Sequence, residues 1–236
     1  MIKIKHVTKT YGHKKALDNV SFDVNDGEIF ALIGHNGAGK TTLIKAICGI
    51  HDFDHGTILV NGKSIKEDPI GCKKEMAYVP DDPELYEDMK AIDFINFVCD
   101  IYDVPKTIRE QNTKRFAEML DISGELSSPI KTFSHGMKQK IALIAALAHE
   151  PSVLIMDEPF VGLDPKAIFD MKEIMRKMAK DGKTIFFSTH ILDVAEKLCS
   201  RVAIVRGGKI VETGSMDEVR GDKSLEKVFL ELESDE

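Results

Sequence analysis

Apolar and polar positions alternate over residues 2–7 and again over 20–24 ("VSFDV"), as in strands with one buried face. A short unbroken apolar run, "EIFALIG", predicts a fully buried strand that ends in glycines. The pattern then switches to helical spacing in "KTTLIKAICGI", with Leu43, Ile44 and Ile47 on one face. "TILVNGKSI" reads as a hairpin whose Asn61-Gly62 pair supplies the positive φ angles of a tight turn, and "EMAYVP" as a short strand closed by Pro80. Strand signals then vanish from 84 to about 150. Three helical stretches fill that segment: "AIDFINFVCDIY", "TIREQNTKRFAEML" and "GMKQKIALIAALAHE", separated by Pro105 and by "SGELSSP". Strands return with "SVLIMDEP" and "KTIFFSTH", on either side of a helix over 165–180 that Gly182 ends. "VAIVRGGKIVETG" predicts a closing hairpin around Gly207-Gly208, and residues 215–236 a short helix with a solvated acidic tail, "ELESDE". This order implies an α/β core of parallel strands interrupted by a helical insert over 84–150.

Composition narrows the class. The chain has 236 residues, 43% hydrophobic and 30% charged, a globular balance in one large domain. A net charge of -7 with no basic stripe argues against nucleic acid as a partner. The cysteines at 48, 72, 99 and 199 form no C-x-x-C pair, which fits free thiols in a reducing compartment. The alternating N-terminus is unlike a signal peptide, and the longest apolar run, "IALIAALA", is far short of the about 20 residues of a membrane span. Work at a membrane would therefore go through a partner.

The strongest chemical signal is "GHNGAGKT", 34–41, which fits G-x-x-x-x-G-K-[ST] between a predicted strand and helix. Glycines let backbone N–H groups turn inward around a phosphate, and the helix N-terminus adds its positive end. Lys40 can reach β- and γ-phosphate oxygens, and the Thr41 hydroxyl can bind Mg²⁺. The plain alternative, a glycine-rich turn with a chance lysine, does not account for the strand–loop–helix setting. A dinucleotide fingerprint fails because Thr42 stands where a third glycine is needed. Asp157 and Glu158 end a buried strand, where open α/β sheets place ligands. Asp157 suits Mg²⁺ and Glu158 a general base, although an exposed Asp-Glu pair at a strand end would look the same. His190 ends the next buried strand; a lone histidine is more often structural, but here it is aimed toward the γ-phosphate and attacking water.

Together these motifs resemble the nucleotide-binding ATPase domain of ABC transporters, over about residues 2–215. The resemblance implies a P-loop NTPase core, with a RecA-like parallel sheet, an antiparallel β subdomain and an inserted helical subdomain over 84–150. It makes Tyr11 the aromatic that stacks on adenine. Gly34, His35, Asn36, Gly37, Ala38, Gly39, Lys40, Thr41 and Thr42 form the phosphate cradle. "YVPDDP" falls at the family's Q-loop, "FSHGMKQK" at its signature, "GLDP" at its D-loop with Asp164 near a dimer centre, and "STH" at its switch histidine. It implies ATP and Mg²⁺, with Thr41, Asp157 and Asp81 on the metal. It also implies two cassettes head to tail, each ATP capped by Ser134 and Gly136 of the other, and a membrane-spanning permease as a separate chain. The expected location is then the cytoplasmic face of the membrane. Two positions depart from the pattern. Asp81 stands for the usual glutamine, with Asp82 after it, and a carboxylate is a harder metal ligand than an amide. In the signature, His135 replaces a glycine and Met137 a glutamine, while Ser134, Gly136 and the helix N-terminus survive.

The "S-x-G-M-K-Q" signature and "LYEDM" resemble multidrug, antibiotic or ABC-2-type exporter ATPases; one chain carrying every part suits a homodimer. The alternative is a soluble ABC ATPase serving as an assembly or scaffold factor, as in iron–sulfur cluster assembly. DNA-repair relatives need a long coiled coil between cradle and signature, and no sustained heptads occur there. Translation factors carry two cradles. A GTPase lacks its N-K-x-D here, and the loose D-x-x-G match "DPIG", 68–71, reads as chance.

Overall fold

The computed structural model describes residues 1–234. Its first strands, β1 (Ile2–Tyr11) and β2 (Lys14–Val24), form one antiparallel hairpin that pairs Ile2 with Val24 at one end and Tyr11 with Lys14 at the other. Both strands outrun the alternating segments 2–7 and 20–24. The far half of the hairpin is polar on both faces ("TKTYGHKKA"), so it carries no period-two signal. β3 (Ile29–Ile33) is buried throughout and runs into the loop before α1 (Lys40–Ile47). β4 (His55–Val60) and β5 (Lys63–Ser64) make the expected hairpin, with Asn61 at φ 48° and Gly62 at φ 80°. α2 (Pro69–Glu75) was not signalled by periodicity, since only Cys72 of it is buried. Its start is the "DPIG" segment: Asp68 accepts a hydrogen bond from Gly71 N–H at 2.8 Å and Pro69 takes the first turn.

β6 (Met76–Val79) is followed by α3 (Ala91–Ile101), α4 (Lys106–Met119) and α5 (His135–Ala148), the three expected helices. Then come β7 (Val153–Met156), α6 (Pro165–Lys180), β8 (Thr184–Thr189) and a short α7 (Leu192–Leu198) without a sequence signal. β9 (Arg201–Arg206) and β10 (Lys209–Ser215) form the closing hairpin. α8 (Met216–Arg220) and α9 (Leu225–Ser234) follow. The expected acidic tail is therefore helical as far as Ser234, and its last two residues lie outside the described residues.

Two sheets result. The antiparallel one runs β2-β1-β4-β5; the six-stranded one runs β10-β9-β3-β8-β7-β6 and is parallel except for β10. β3 divides the core by alternation. Ile29, Ala31 and Ile33 face a cluster that includes α3, α5, α6 and α7, while Phe30 and Leu32 face α1 and the antiparallel sheet. On that second side Phe22 and Phe30 stack at 5.2 Å and Phe186 of β8 closes on Phe30 at 5.9 Å. Because β3, β7 and β8 are buried and parallel, their C-terminal ends open at one edge, where the loops carrying Lys40, Asp157, Glu158 and His190 meet. Among the described residues no helix is long and apolar enough to cross a membrane.

Candidate active site

The loop 34–39 is shaped by positions that tolerate no side chain. A Cβ on Gly34 would lie 2.5 Å from the Val205 carbonyl oxygen, and one on Gly39 the same distance from the Ala16 carbonyl oxygen. Gly37 and Gly39 sit at φ 81° and 112°, angles that favour glycine. Gly39 precedes α1 without a side-chain cap, so the first N–H groups of the helix keep their donors for an anion. Support from below was not foreseen in the sequence. Gly208 N–H donates to the Ala38 carbonyl at 3.0 Å and Asp18 N–H to the Gly208 carbonyl at 2.8 Å, so the Gly207-Gly208 turn and β2 form the floor of the loop.

Lys40 is 5% exposed, and a buried ammonium needs partners. It donates to the carbonyls of Gly34 at 2.6 Å and His35 at 3.2 Å, and its Nζ lies 3.1 Å from Glu158 Oε1. The loop, Lys40, Thr41, Thr42, Asp81 and Glu158 line a cavity of about 340 Å³. Tyr11 stands half-exposed in its wall, with Lys9 Nζ 5.1 Å from the ring centre. Lys14 and Ala16 line it too; no periodicity marks them, because the hairpin tip that brings them there is polar on both faces.

The carboxylates stand at two depths. Asp157, 2% exposed, still keeps sheet register, its N–H donating to the Val79 carbonyl at 3.0 Å. Its Oδ1 accepts a short hydrogen bond from the Ser188 hydroxyl. Ser188 in turn accepts from Glu158 N–H at 3.0 Å, so one buried hydroxyl fixes both residues. Ser188 was overlooked; its only mark is a hydroxyl inside the apolar run "TIFFSTH". Glu158 adopts φ 47°, a left-handed conformation uncommon for glutamate that costs on the order of 1 kcal/mol. This turns its carboxylate into the cavity. Oε2 meets His190 Nδ1 at 2.9 Å and His190 N–H at 3.2 Å. An ionised carboxylate only accepts, so this bond has Nδ1 as its donor. Glu158 Oε1 accepts no hydrogen bond among the described residues, although it is buried and close to Lys40.

Burial and the charges of Asp157 and Glu158 push the Asp81 carboxyl above the usual carboxylate range. Crowded negative charge of this kind is relieved by a cation. Among the described residues no three His, Cys, Asp or Glu side chains converge as a metal cage. Asp81, close enough to Asp157 to feel its charge, and the Thr41 hydroxyl are donors of the kind Mg²⁺ takes, since it is commonly held by one or two carboxylates with water and substrate phosphates.

Ser134, Gly136 and Asp164 are not part of this cavity. Ser134 caps α5, accepting from Met137 N–H at 3.3 Å, and Asp164 caps α6, accepting from Ala167 N–H at 2.9 Å. That bond holds the Asp164 carboxyl below the usual range. The two caps share one surface: a Cβ on Gly136 would be 3.4 Å from the Gly162 carbonyl oxygen, and one on Gly162 would be 3.0 Å from His135 Cδ2. His135 therefore packs its ring on the 162–164 loop, with Nδ1 3.7 Å from Asp82 Oδ1. Met137 packs partly into the core. Gln139, 1% exposed and not singled out in the sequence, donates to the Pro80 carbonyl at 3.4 Å and ties α5 to the end of β6.

Comparison with known proteins agrees with this geometry. The family model described as ABC transporter matches residues 17–161. The ABC-type transporter ATP-binding protein EcsA of Bacillus subtilis is 35% identical over 98% of this chain and 96% of its own. The linearmycin resistance ATP-binding protein LnrL of the same organism is 33% identical over 91% of this chain and 69% of its own. A solved structure of an ATP-binding subunit of an ABC transporter superposes with a TM-score of 0.95 at 34% identity, covering 99% of this chain and all of that one.

Proposed function

Because the chain belongs to the ABC transporter family of ATP-binding, ATP-hydrolysing cassettes, we propose that it powers an exporter from the cytoplasmic face of a membrane, closing as a homodimer on ATP and docking on a separate permease chain. The observation that supports this most is the Lys40–Glu158–His190 constellation at the ends of three parallel strands, beside the glycine loop. Tyr11 offers its ring to adenine at the rim of the cavity. Residues 34–42 receive the phosphates through inward N–H groups. Lys40 exchanges its carbonyl and Glu158 contacts for phosphate oxygens, a stronger concentration of negative charge. Thr41, Asp157 and Asp81 would hold Mg²⁺, which would supply charge stabilisation to the phosphate oxygens. Glu158, whose buried Oε1 accepts no hydrogen bond and is released as Lys40 turns to phosphate, takes a proton from the attacking water, and His190 fixes the other carboxylate oxygen.

The cavity has no contribution from Ser134, Gly136 or Asp164 of the same chain, and this supports their meeting the nucleotide of a second copy. Exposed Tyr86, Phe97 and Ile101 beside α3 support a permease contact on the helical insert, since large apolar side chains gathered at a surface mark interaction sites. The name of LnrL, a linearmycin resistance ATP-binding protein, with the "LYEDM" and "S-x-G-M-K-Q" segments, supports export. The test is Glu158→Gln. Removing the base is expected to slow ATP turnover by at least about 100-fold while ATP still binds and drives dimerisation. Turnover at the wild-type rate would overturn the assignment of Glu158.

A further inference from the structure

Helix α9 reaches back to the phosphate loop. Phe229, almost fully buried, places its ring centre 4.8 Å from that of His35 at an interplanar angle of 64°, an edge-on contact of the kind aromatic rings favour. The helix that presents Phe229 is clamped at both ends. Leu225 N–H donates to Glu196 Oε2 at 3.0 Å, and the other oxygen of Glu196 accepts from Arg220 at 3.0 Å. Toward the C-terminal end, the Arg206 guanidinium donates to the Leu232 carbonyl. Glu196 belongs to α7, the helix that follows His190. Arg206 ends β9, just before the turn whose Gly208 N–H supports Ala38.

On the other side of the contact, His35 holds the loop's own bonds. Its carbonyl accepts from Ala38 N–H at 3.2 Å and from Lys40 Nζ at 3.2 Å. Fixing the His35 ring therefore fixes the peptide that orients both; His35 is itself exposed, as are Asn36 and Gly37 beyond it, so the ring contact anchors this stretch. A loop already ordered does not lose that freedom again when its ligand arrives. Phe229 itself is outside the nucleotide cavity and touches no reacting group.

We propose that Phe229 is a positioning residue for ATP: through His35 it pre-orders the phosphate loop, so that the C-terminal helix sets the affinity of the cradle. This rests on the reading of 34–41 as that cradle. The experiment measures the affinity of the full-length chain for a fluorescent ATP analogue, together with steady-state KM and kcat. Phe229→Ala and His35→Ala are each expected to weaken binding about three- to tenfold, the worth of one aromatic contact. For Phe229→Ala the loss should appear in KM, with kcat changed by less than about twofold, as for an interaction made equally in ground and transition states. The double variant should bind no more weakly than the weaker single variant, because Phe229 acts on the loop only through His35. Phe229→Tyr, which keeps the ring edge, should restore affinity. If Phe229→Ala fails to fold, Phe229→Leu, which keeps the bulk without the ring, is read in the same way. Wild-type affinity in either single variant, or losses that multiply in the double variant, would overturn the proposal. Lys40→Ala separates the two levels: unchanged affinity there defeats the cradle reading itself, whereas lost affinity there with unchanged Phe229→Ala defeats the positioning role alone.

Discussion

The phosphate cradle and the surface around Ser134 are both built at helix N-termini, yet they are held together by opposite means. Around the cradle, side chains bind one another: buried Lys40, Glu158, Ser188 and Asp157, with the half-exposed His190, form a continuous chain of contacts across three strand ends. Around Ser134, the contacts are caps and close backbone approaches, with Gly136, Gly162 and Asp164 leaving little side chain between α5 and α6. The first arrangement is complete within one chain and resists change at any member. The second shows an exposed cap and bare backbone, a surface that gains its partners from outside. On the proposed function, chemistry belongs to the first region, and the second is the one offered to another copy.

The sharpest way to break that contrast is Ser134→Arg. The bulky cation removes the cap and crowds the surface, so ATPase activity and ATP-driven dimerisation should fall to near background. ATP binding by the monomer should remain, since the cavity does not include Ser134. Activity close to wild type in a coupled ATPase assay would show that this surface does not cap nucleotide. Next in size is Ser188→Ala, which strips Asp157 of its hydroxyl donor and Glu158 N–H of its acceptor inside the protein. Unfolding in denaturant should show a loss of about 1–3 kcal/mol, the cost of unpaired buried groups. An unchanged midpoint would mean that the cradle is less interlocked than its contacts suggest. The smallest effect concerns His149, which lies outside both regions. It stacks on Tyr102 with ring centres 3.7 Å apart, and burial lowers its pKa to about 4. The unfolded chain binds that proton near pH 6.5 and the folded chain does not until about pH 4. Stability should therefore fall as pH drops through that window. His149→Gln should flatten this part of the pH profile of Tm; an unaltered slope would remove His149 as its source.

Sequence reading succeeded where chemistry and periodicity are local. The runs of β3 and β7 are apolar throughout and β8 is apolar at its centre, and the spacing of Gly34, Gly39, Lys40 and Thr41 is fixed by one turn, so both were legible. The distal hairpin of β1 and β2 was not, since its tip is solvated on both sides and loses alternation; Lys14 and Ala16 were lost with it. α2 escaped because it buries little, and "DPIG" looked like chance until Asp68 was seen capping it. Ser188, Gln139 and the Gly207-Gly208 turn act only through residues far away in the chain: Asp157, Pro80 and Ala38. No spacing rule reaches across such separations.

Helix α5 has a mechanical consequence. Its C-terminal end is clasped by Asn112, which donates to the Ala148 carbonyl at 3.1 Å, while Ser134 caps the other end. Fourteen residues at 1.5 Å each make a stiff rod of about 21 Å. Pivoting such a rod by roughly 5° about its clasped end carries the serine about 2 Å, from bonding distance to none. The helix is thus a lever with high gain: tilts too slight to disturb the packing at its fulcrum suffice to switch the contact at its tip.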